Sequence, residues 1–118
     1  MAYKLIVSDR LDFEVKFSLK DGSADKHFGL LMTGMRCPRE QIEKEHAAGV
    51  TIGEFLASRE VKLVGWLNGV SPLKDENDEP VAAGAEAYEA LCDLVAGIPG
   101  LVHLGYLEAN GAKGRAGN

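Results

Sequence analysis

The side chains that could do chemistry are few and lie far apart in the chain. The 118 residues include three histidines, His27, His46 and His103, and two cysteines, Cys37 and Cys92. No pair of histidines has the spacing of a helical metal motif, and no Cys-x-x-Cys is present. Cys37 and a distant histidine could act as nucleophile and general base, but unrelated core and surface residues explain them more simply. We therefore predict no catalytic set, no metal and no cofactor.

The glycines and the acidic residues also form no ligand-binding motif. Gly65-x-x-x-Gly69 lacks the Gly-Lys-Ser/Thr ending of a phosphate loop, and Gly97-Ile98-Pro99-Gly100 contains a proline. The acidic stretch Asp75-Glu76-Asn77-Asp78-Glu79-Pro80 lacks the alternating ligands and central glycine of a calcium loop. We interpret these segments as turns, helix caps and a solvated loop.

Composition and charge narrow the class of protein further. The chain is 46% apolar and 26% charged, with a formal net charge of -5, which is ordinary for a globular domain. A general nucleic-acid or membrane-surface binder needs a basic face, so we expect neither partner. The run Leu5-Ile6-Val7 is too short for a signal peptide. We expect a cytoplasmic protein with both cysteines reduced and at least one of them buried.

The elements that position these residues begin with a β-rich part. Apolar and polar residues alternate over residues 13–20, as in a half-buried strand. Asp21-Gly22 supplies the positive φ of a tight hairpin turn, and residues 26–32 form the partner strand. Leu5-Ile6-Val7 is predicted to be a third strand. Residues 3–35 are therefore predicted to form an antiparallel β-meander.

The rest of the chain favours helices. One follows Cys37-Pro38 over residues 39–48, and a second begins at Thr51 with the capping box Thr51-Ile52-Gly53-Glu54. Val61-Lys62-Leu63-Val64 could continue this helix or form a short strand. Two more helices are predicted over residues 85–96 and 101–110, with Ile98-Pro99-Gly100 as a break and residues 71–84 as a loop.

These predictions define a single α+β domain over residues 1–118. It has a β-rich part at residues 3–35, a helical part at residues 37–110 with four or so helices, and a flexible tail at residues 111–118. Trp66, the chain's only tryptophan, has two interpretations within this domain. It can be a core aromatic whose indole N–H finds a carbonyl, or an anchor for a partner.

The order of several short motifs resembles a family of bacteriophage tail assembly chaperones over residues 35–118. In chain order the pieces are Met35-Arg36, Val64-Gly65-Trp66, Asp75-Glu76 to Pro80-Val81, Leu91 and Leu94, Ile98-Pro99-Gly100, Tyr106-Leu107-Glu108-Ala109, and Arg115-Ala116-Gly117-Asn118. Two departures affect the loop. Val81-Ala82-Ala83-Gly84 replaces the family's Pro-aromatic-Ser/Thr helix start, and Ser71-Pro72-Leu73-Lys74 separates the tryptophan element from the acidic turn.

The resemblance implies a non-catalytic protein that binds the phage tape-measure protein and keeps it soluble in the bacterial cytoplasm during tail assembly. Expected contacts are Phe55, Trp66, Tyr88 and Tyr106, together with the tail, while the alternative is that all four aromatics are core residues. One rival function is a small structural phage tail or head–tail joining protein. Another is a small enzyme or ligand-binding domain that uses Cys37 or a histidine such as His27 or His103.

Overall fold

The structure, a computed structural model, describes residues 2–114. It confirms the α+β class, with a three-stranded antiparallel sheet of strand order β1-β2-β3 and four helices. The strands are β1 (Arg10–Asp21), β2 (Ala24–Met35) and β3 (Lys62–Trp66). The helices are α1 (Arg39–Ala47), α2 (Ile52–Ser58), α3 (Ala85–Leu94) and α4 (Ile98–Asn110), and a single 3₁₀ turn covers Leu67–Gly69.

The first two strands form the predicted hairpin, and each is 12 residues long. Asp21 pairs with Ala24, so the loop has two residues. Gly22, the first of them, has a φ of 64°, the positive value that a type II′ turn requires there. Ion pairs of 3.0 Å join Lys20 to Asp25 and Lys26 to Asp21 beside the turn. Turn geometry and charge therefore fix the same register.

The third strand is not the predicted one. Leu5-Ile6-Val7 forms no strand, and β3 supplies the third strand from within the segment predicted to be helical. The alternative interpretation of Val61-Lys62-Leu63-Val64 as a short strand is thus the correct one. Leu63 and Trp66 are an odd number of residues apart, yet both are buried, because the register with β2 shifts between Leu31 and Met32. This bulge breaks the alternation by which strands are found in sequences.

One face of the sheet builds the core. Odd-numbered residues of β1 lie opposite even-numbered residues of β2, and α4 packs against this inner face. β3 pairs only with residues 30–33 of β2, so the hairpin extends beyond the rest of the sheet. The radius of gyration is accordingly 16.3 Å, against about 13.5 Å for a compact chain of this length. The fully buried side chains are Leu30, Met32, Leu91, Ile98, Val102 and Tyr106.

The helix ends differ from the predictions in two places. Ile98-Pro99-Gly100 is the first turn of α4 and not a break, because proline is tolerated there and Gly97, at a φ of 90°, reverses the chain just before it. The hydroxyl of Thr51 accepts from the Glu54 amide as predicted, at 3.2 Å. The Glu54 carboxylate, however, accepts from the Thr51 hydroxyl at 2.8 Å instead of from its amide.

The loop over residues 71–84 is confirmed, with only an isolated bridge between Lys74 and Pro80. Residues 111–114 form neither helix nor strand. The predicted flexible tail also includes residues 115–118, which lie outside the described residues. Within residues 2–114, no helix has the length and apolar character needed to span a membrane.

Candidate partner-binding surface

Three of the four aromatic residues expected to contact a partner lie in the core. Phe55 and Trp66 are buried, and the Tyr106 side chain is 0% exposed. Phe55 meets Tyr106 edge to face at 5.6 Å and His103 at 5.3 Å between ring centroids. The Tyr106 hydroxyl donates to the Met35 carbonyl at 2.6 Å, and burial raises the pKa of Tyr106 to about 12. In this conformation all three are core residues, which agrees with the alternative interpretation.

Trp66 joins the sheet to the acidic loop. Its indole N–H donates to the Val81 carbonyl at 2.8 Å, across 15 residues of chain. This is the partner that a buried indole N–H needs. The bond holds the end of the loop against β3, which confirms the interpretation of Trp66 as a core aromatic with a carbonyl partner.

Tyr88 is the one half-buried member of the set. It lies on α3 beside a shallow cleft that Leu56 and Pro99 also line. Burial is the main cause that raises the pKa of the Tyr88 hydroxyl. Its neighbour Cys92 is also half-buried, and burial raises the pKa of that thiol. Tyr88 is therefore the only one of the four aromatics with a partly accessible ring.

The two most exposed large apolar side chains, Ile6 and Tyr3, lie in a segment that sequence reasoning did not select. Tyr3, Leu5, Ile6 and Val7 are 87%, 66%, 103% and 54% exposed, respectively. They carry neither helix nor strand. Contiguous exposed apolar groups are uncommon on proteins that work alone and usually mark an interaction site. The run Leu5-Ile6-Val7 is the sequence signal of this segment, although its pattern predicts a strand.

A cleft of ≈ 810 Å³ lies beneath this segment. Its apolar lining combines Tyr3, Leu5 and Val7 with Pro38, Ile42 and Leu107, from the start of α1 and the end of α4. Arg36 and Arg39 lie at the same cleft and give it a basic side. A cleft of this size and apolar character can accept several apolar side chains of a partner.

The floor of the cleft is held by hydrogen bonds between distant parts of the chain. Asn110 at the end of α4 accepts from the Cys37 amide and donates to the Cys37 carbonyl, each at 2.8 Å. The Arg36 amide donates to the Asp9 carbonyl at 2.6 Å. These bonds attach α4 and the chain before β1 to the junction of β2 and α1. The cleft is therefore rigid on one side and bordered by an irregular segment on the other.

A buried ion pair supports the same junction from inside. The Arg59 guanidinium donates twice to the Glu45 carboxylate, once at 2.7 Å, and lies 4.5 Å from the centre of the Phe55 ring. The Arg59 hydrogen bond lowers the pKa of Glu45, and the Glu45 hydrogen bond raises the pKa of Arg59. Nearly all of both side chains is withdrawn from water. The pair joins α1 to the end of α2 and is structural.

Of the residues considered for catalysis, only His46 and His103 line a common cleft. Cys37 is buried, and its thiol lies 3.7 Å from the Pro38 carbonyl. His27 is on the hairpin, His46 is on α1, and His103 is on α4 against Phe55. In the described part of the chain, no group of three or more His, Cys, Asp or Glu residues could hold a metal ion. Cys37 and Cys92 are both free thiols, as expected.

Comparisons of the chain with protein-family models, with curated proteins and with solved structures give no match.

Proposed function

We propose that this protein is a phage tail assembly chaperone that binds the tape-measure protein and keeps it soluble until the tail tube forms. The observation that carries the proposal is the apolar segment of Tyr3, Leu5, Ile6 and Val7 above an apolar cleft. The order of motifs over residues 35–118 supports the same function by resemblance.

The chemistry of the cleft fits an amphipathic helix as the client. Such a helix presents apolar side chains every three or four residues and binds by laying them in an apolar groove. Ile42 and Leu107 form the fixed apolar lining, and the segment of residues 3–7 can cover the opposite side of the client.

The test is co-expression of this protein with the tape-measure protein of the phage or prophage that encodes it. The amount of soluble tape-measure protein and its recovery with the tagged chaperone are measured. We expect the wild-type chain to keep the client soluble and Leu5→Asp with Ile6→Asp to abolish this effect. Leu94→Asp is the matched control, because Leu94 is also exposed but is the last residue of α3 and does not line the cleft.

The possible outcomes distinguish an error in the proposed function from an error in the assigned binding surface. A client that stays insoluble with the wild-type chain contradicts the chaperone function. A client that is equally soluble with the segment variant contradicts only the assignment of the surface. Mass spectrometry of purified particles tests the rival structural role, since a chaperone is absent from the particle and a tail or joining protein is present in stoichiometric amount.

A further inference from the structure

The outer edge of β1 is long and free. The sheet order places β1 at one side, with β2 as its only neighbour. Within residues 2–114, no backbone group beyond the hairpin pairs with residues 11–20 of β1. A free edge of this length is a template for pairing with another strand. Proteins usually shorten, bend or cover such an edge. Here α4 covers only the inner face of the sheet and leaves the edge of β1 open.

The alternation of the backbone shows which groups point outward. The Leu11 carbonyl accepts from the Thr33 hydroxyl, so Leu11 directs its backbone toward β2. Successive residues of a strand direct their backbone groups to opposite sides. The N–H and C=O groups of Asp12, Glu14, Lys16 and Ser18 therefore face the free edge.

We propose that this edge pairs with the same edge of a second copy, antiparallel about a two-fold axis at Val15. This register places Glu14 of each chain opposite Lys16 of the partner subunit, so two attractive pairs form on the outer face. On the inner face, Phe13 lies opposite Phe17 of the partner subunit. Moving the axis one residue to Lys16 would instead set two ammonium groups against each other, which is unfavourable across strands.

The ends of this register are also compatible. Arg10 would lie opposite Lys20 of the partner subunit, but both charges already have a counterion. Arg10 is 3.0 Å from Asp12, and Lys20 is 3.0 Å from Asp25. Both charges of the only like-charged pair in the proposed interface are thus already neutralised within their own hairpin.

Helix α4 continues the interface beyond the strand. Gly105 is the point where α4 meets β1, since a Cβ there would lie 3.1 Å from Val15 and 3.3 Å from Phe13. Leu101 and Leu104 flank Gly105 on the side of the helix opposite Tyr106 and are 39% and 61% exposed. A cleft between Glu108 and residues 11–14 runs along the same border. Joining two copies at Val15 would bring the two α4 helices side by side and cover these leucines.

Charge reversal tests both the dimer and its register. Sedimentation or light scattering of the full chain should give twice the monomer mass of 12.7 kDa. Glu14→Lys alone and Lys16→Glu alone should each weaken association by about tenfold, because both attractive pairs become repulsive. An equimolar mixture of the two variants should regain the dimer, since each lysine then meets a glutamate. Lys62→Glu, on the far strand β3, is the control and should leave association unchanged.

Hydrogen exchange supplies an independent measurement. On dilution, the amides of residues 12, 14, 16 and 18 should lose protection together, while those of residues 13, 15 and 17 keep it. A wild-type chain that stays monomeric at its solubility limit would overturn the proposal. A dimer that both single reversals leave intact, or a variant mixture that stays dissociated, would overturn the register at Val15. These outcomes are distinct from failure to solubilise a client, which tests the apolar cleft lined by Leu5, Ile42 and Leu107.

Discussion

Asn110 makes both of its amide hydrogen bonds with the backbone of Cys37, 73 residues away in the sequence. The side chain therefore pairs with Cys37 as a neighbouring strand residue would, and it fixes the last turn of α4 to the entrance of α1. It also closes the floor of the apolar cleft, where Asn110 and Cys37 are both part of the lining. The stability of the cleft should depend on this one residue.

We expect Asn110→Ala to lower the free energy of unfolding by about 1–3 kcal/mol, because it leaves the Cys37 amide and carbonyl unpaired in a part-buried site. Urea unfolding followed by fluorescence of Trp66 measures the change. Asn77→Ala is the matched control, since Asn77 is exposed in the acidic loop and only its backbone amide is hydrogen bonded there. An equal effect of the two substitutions would contradict a structural role for the Asn110 side chain.

The ion pair of Arg59 with Glu45 predicts that substitutions at two glutamates of α1, Glu45 and Glu43, will affect stability to different extents. Glu45→Gln should lower the urea midpoint clearly, because it leaves the Arg59 guanidinium buried beside Phe55 without its counterion. Glu43→Gln should have little effect, since Glu43 pairs with Arg39 in an exposed position on the same helix. Similar midpoints for the two variants would show that the buried pair contributes nothing.

The same ion pair predicts that the free energy of unfolding decreases at acidic pH. The pKa of Glu45 is lowered in the folded protein by its hydrogen bond with Arg59, from a usual value of 4.5. The unfolded chain therefore binds this proton more readily than the folded chain. Its contribution to stability is present above pH 4.5 and is lost as the pH falls through the lower, folded value. The loss should be smaller in Glu45→Gln, and unfolding curves between neutral and acidic pH measure it.

Two glycines of α4 should respond in opposite directions to the same substitution. Gly100→Ala should stabilise the protein by about 0.5–1 kcal/mol, because alanine favours the helix and a Cβ at Gly100 meets nothing within 4 Å. Gly105→Ala gains the same helix propensity but forces its Cβ against Val15 and Phe13. We expect Gly105→Ala to be less stable than Gly100→Ala by about 1 kcal/mol or more. Thermal unfolding of both variants decides this, and equal gains would show that β1 and α4 can separate freely.

The features predicted correctly from the sequence are those set by neighbouring residues. Alternation gave the hairpin, Asp21-Gly22 gave its turn, and the hydroxyl of Thr51 caps α2 as its spacing indicates. Each depends on contacts within a few residues, which a linear pattern records. The indole bond of Trp66 could also be expected, although not its partner Val81.

The features that were missed are set by contacts between distant residues. β3 was predicted only as an alternative to a helix, because a bulge places Leu63 and Trp66 on one face against the period of two. The pairing of Asn110 with Cys37 and of Arg59 with Glu45 has no local signature at all. The candidate site differs from the predicted one for the same reason. Phe55 and Tyr106 were chosen because they are aromatic, but only the packing shows that they are buried and that the chain before β1 is exposed.

His103 is partly buried against Phe55 in a cleft that Glu45 and His46 also line. Burial is the main cause that lowers the pKa of His103 from 6.5, and the charge of His46 adds to it. The folded chain therefore binds this proton less readily than the unfolded chain. The free energy of unfolding should fall as the pH drops below about 6.5 and level off below the folded pKa. His103→Gln should remove this slope, whereas His27→Gln, an exposed position on the hairpin, should retain it. If urea unfolding between pH 5 and 8 gives the same slope in His103→Gln as in the wild-type chain, the pH dependence comes from another group.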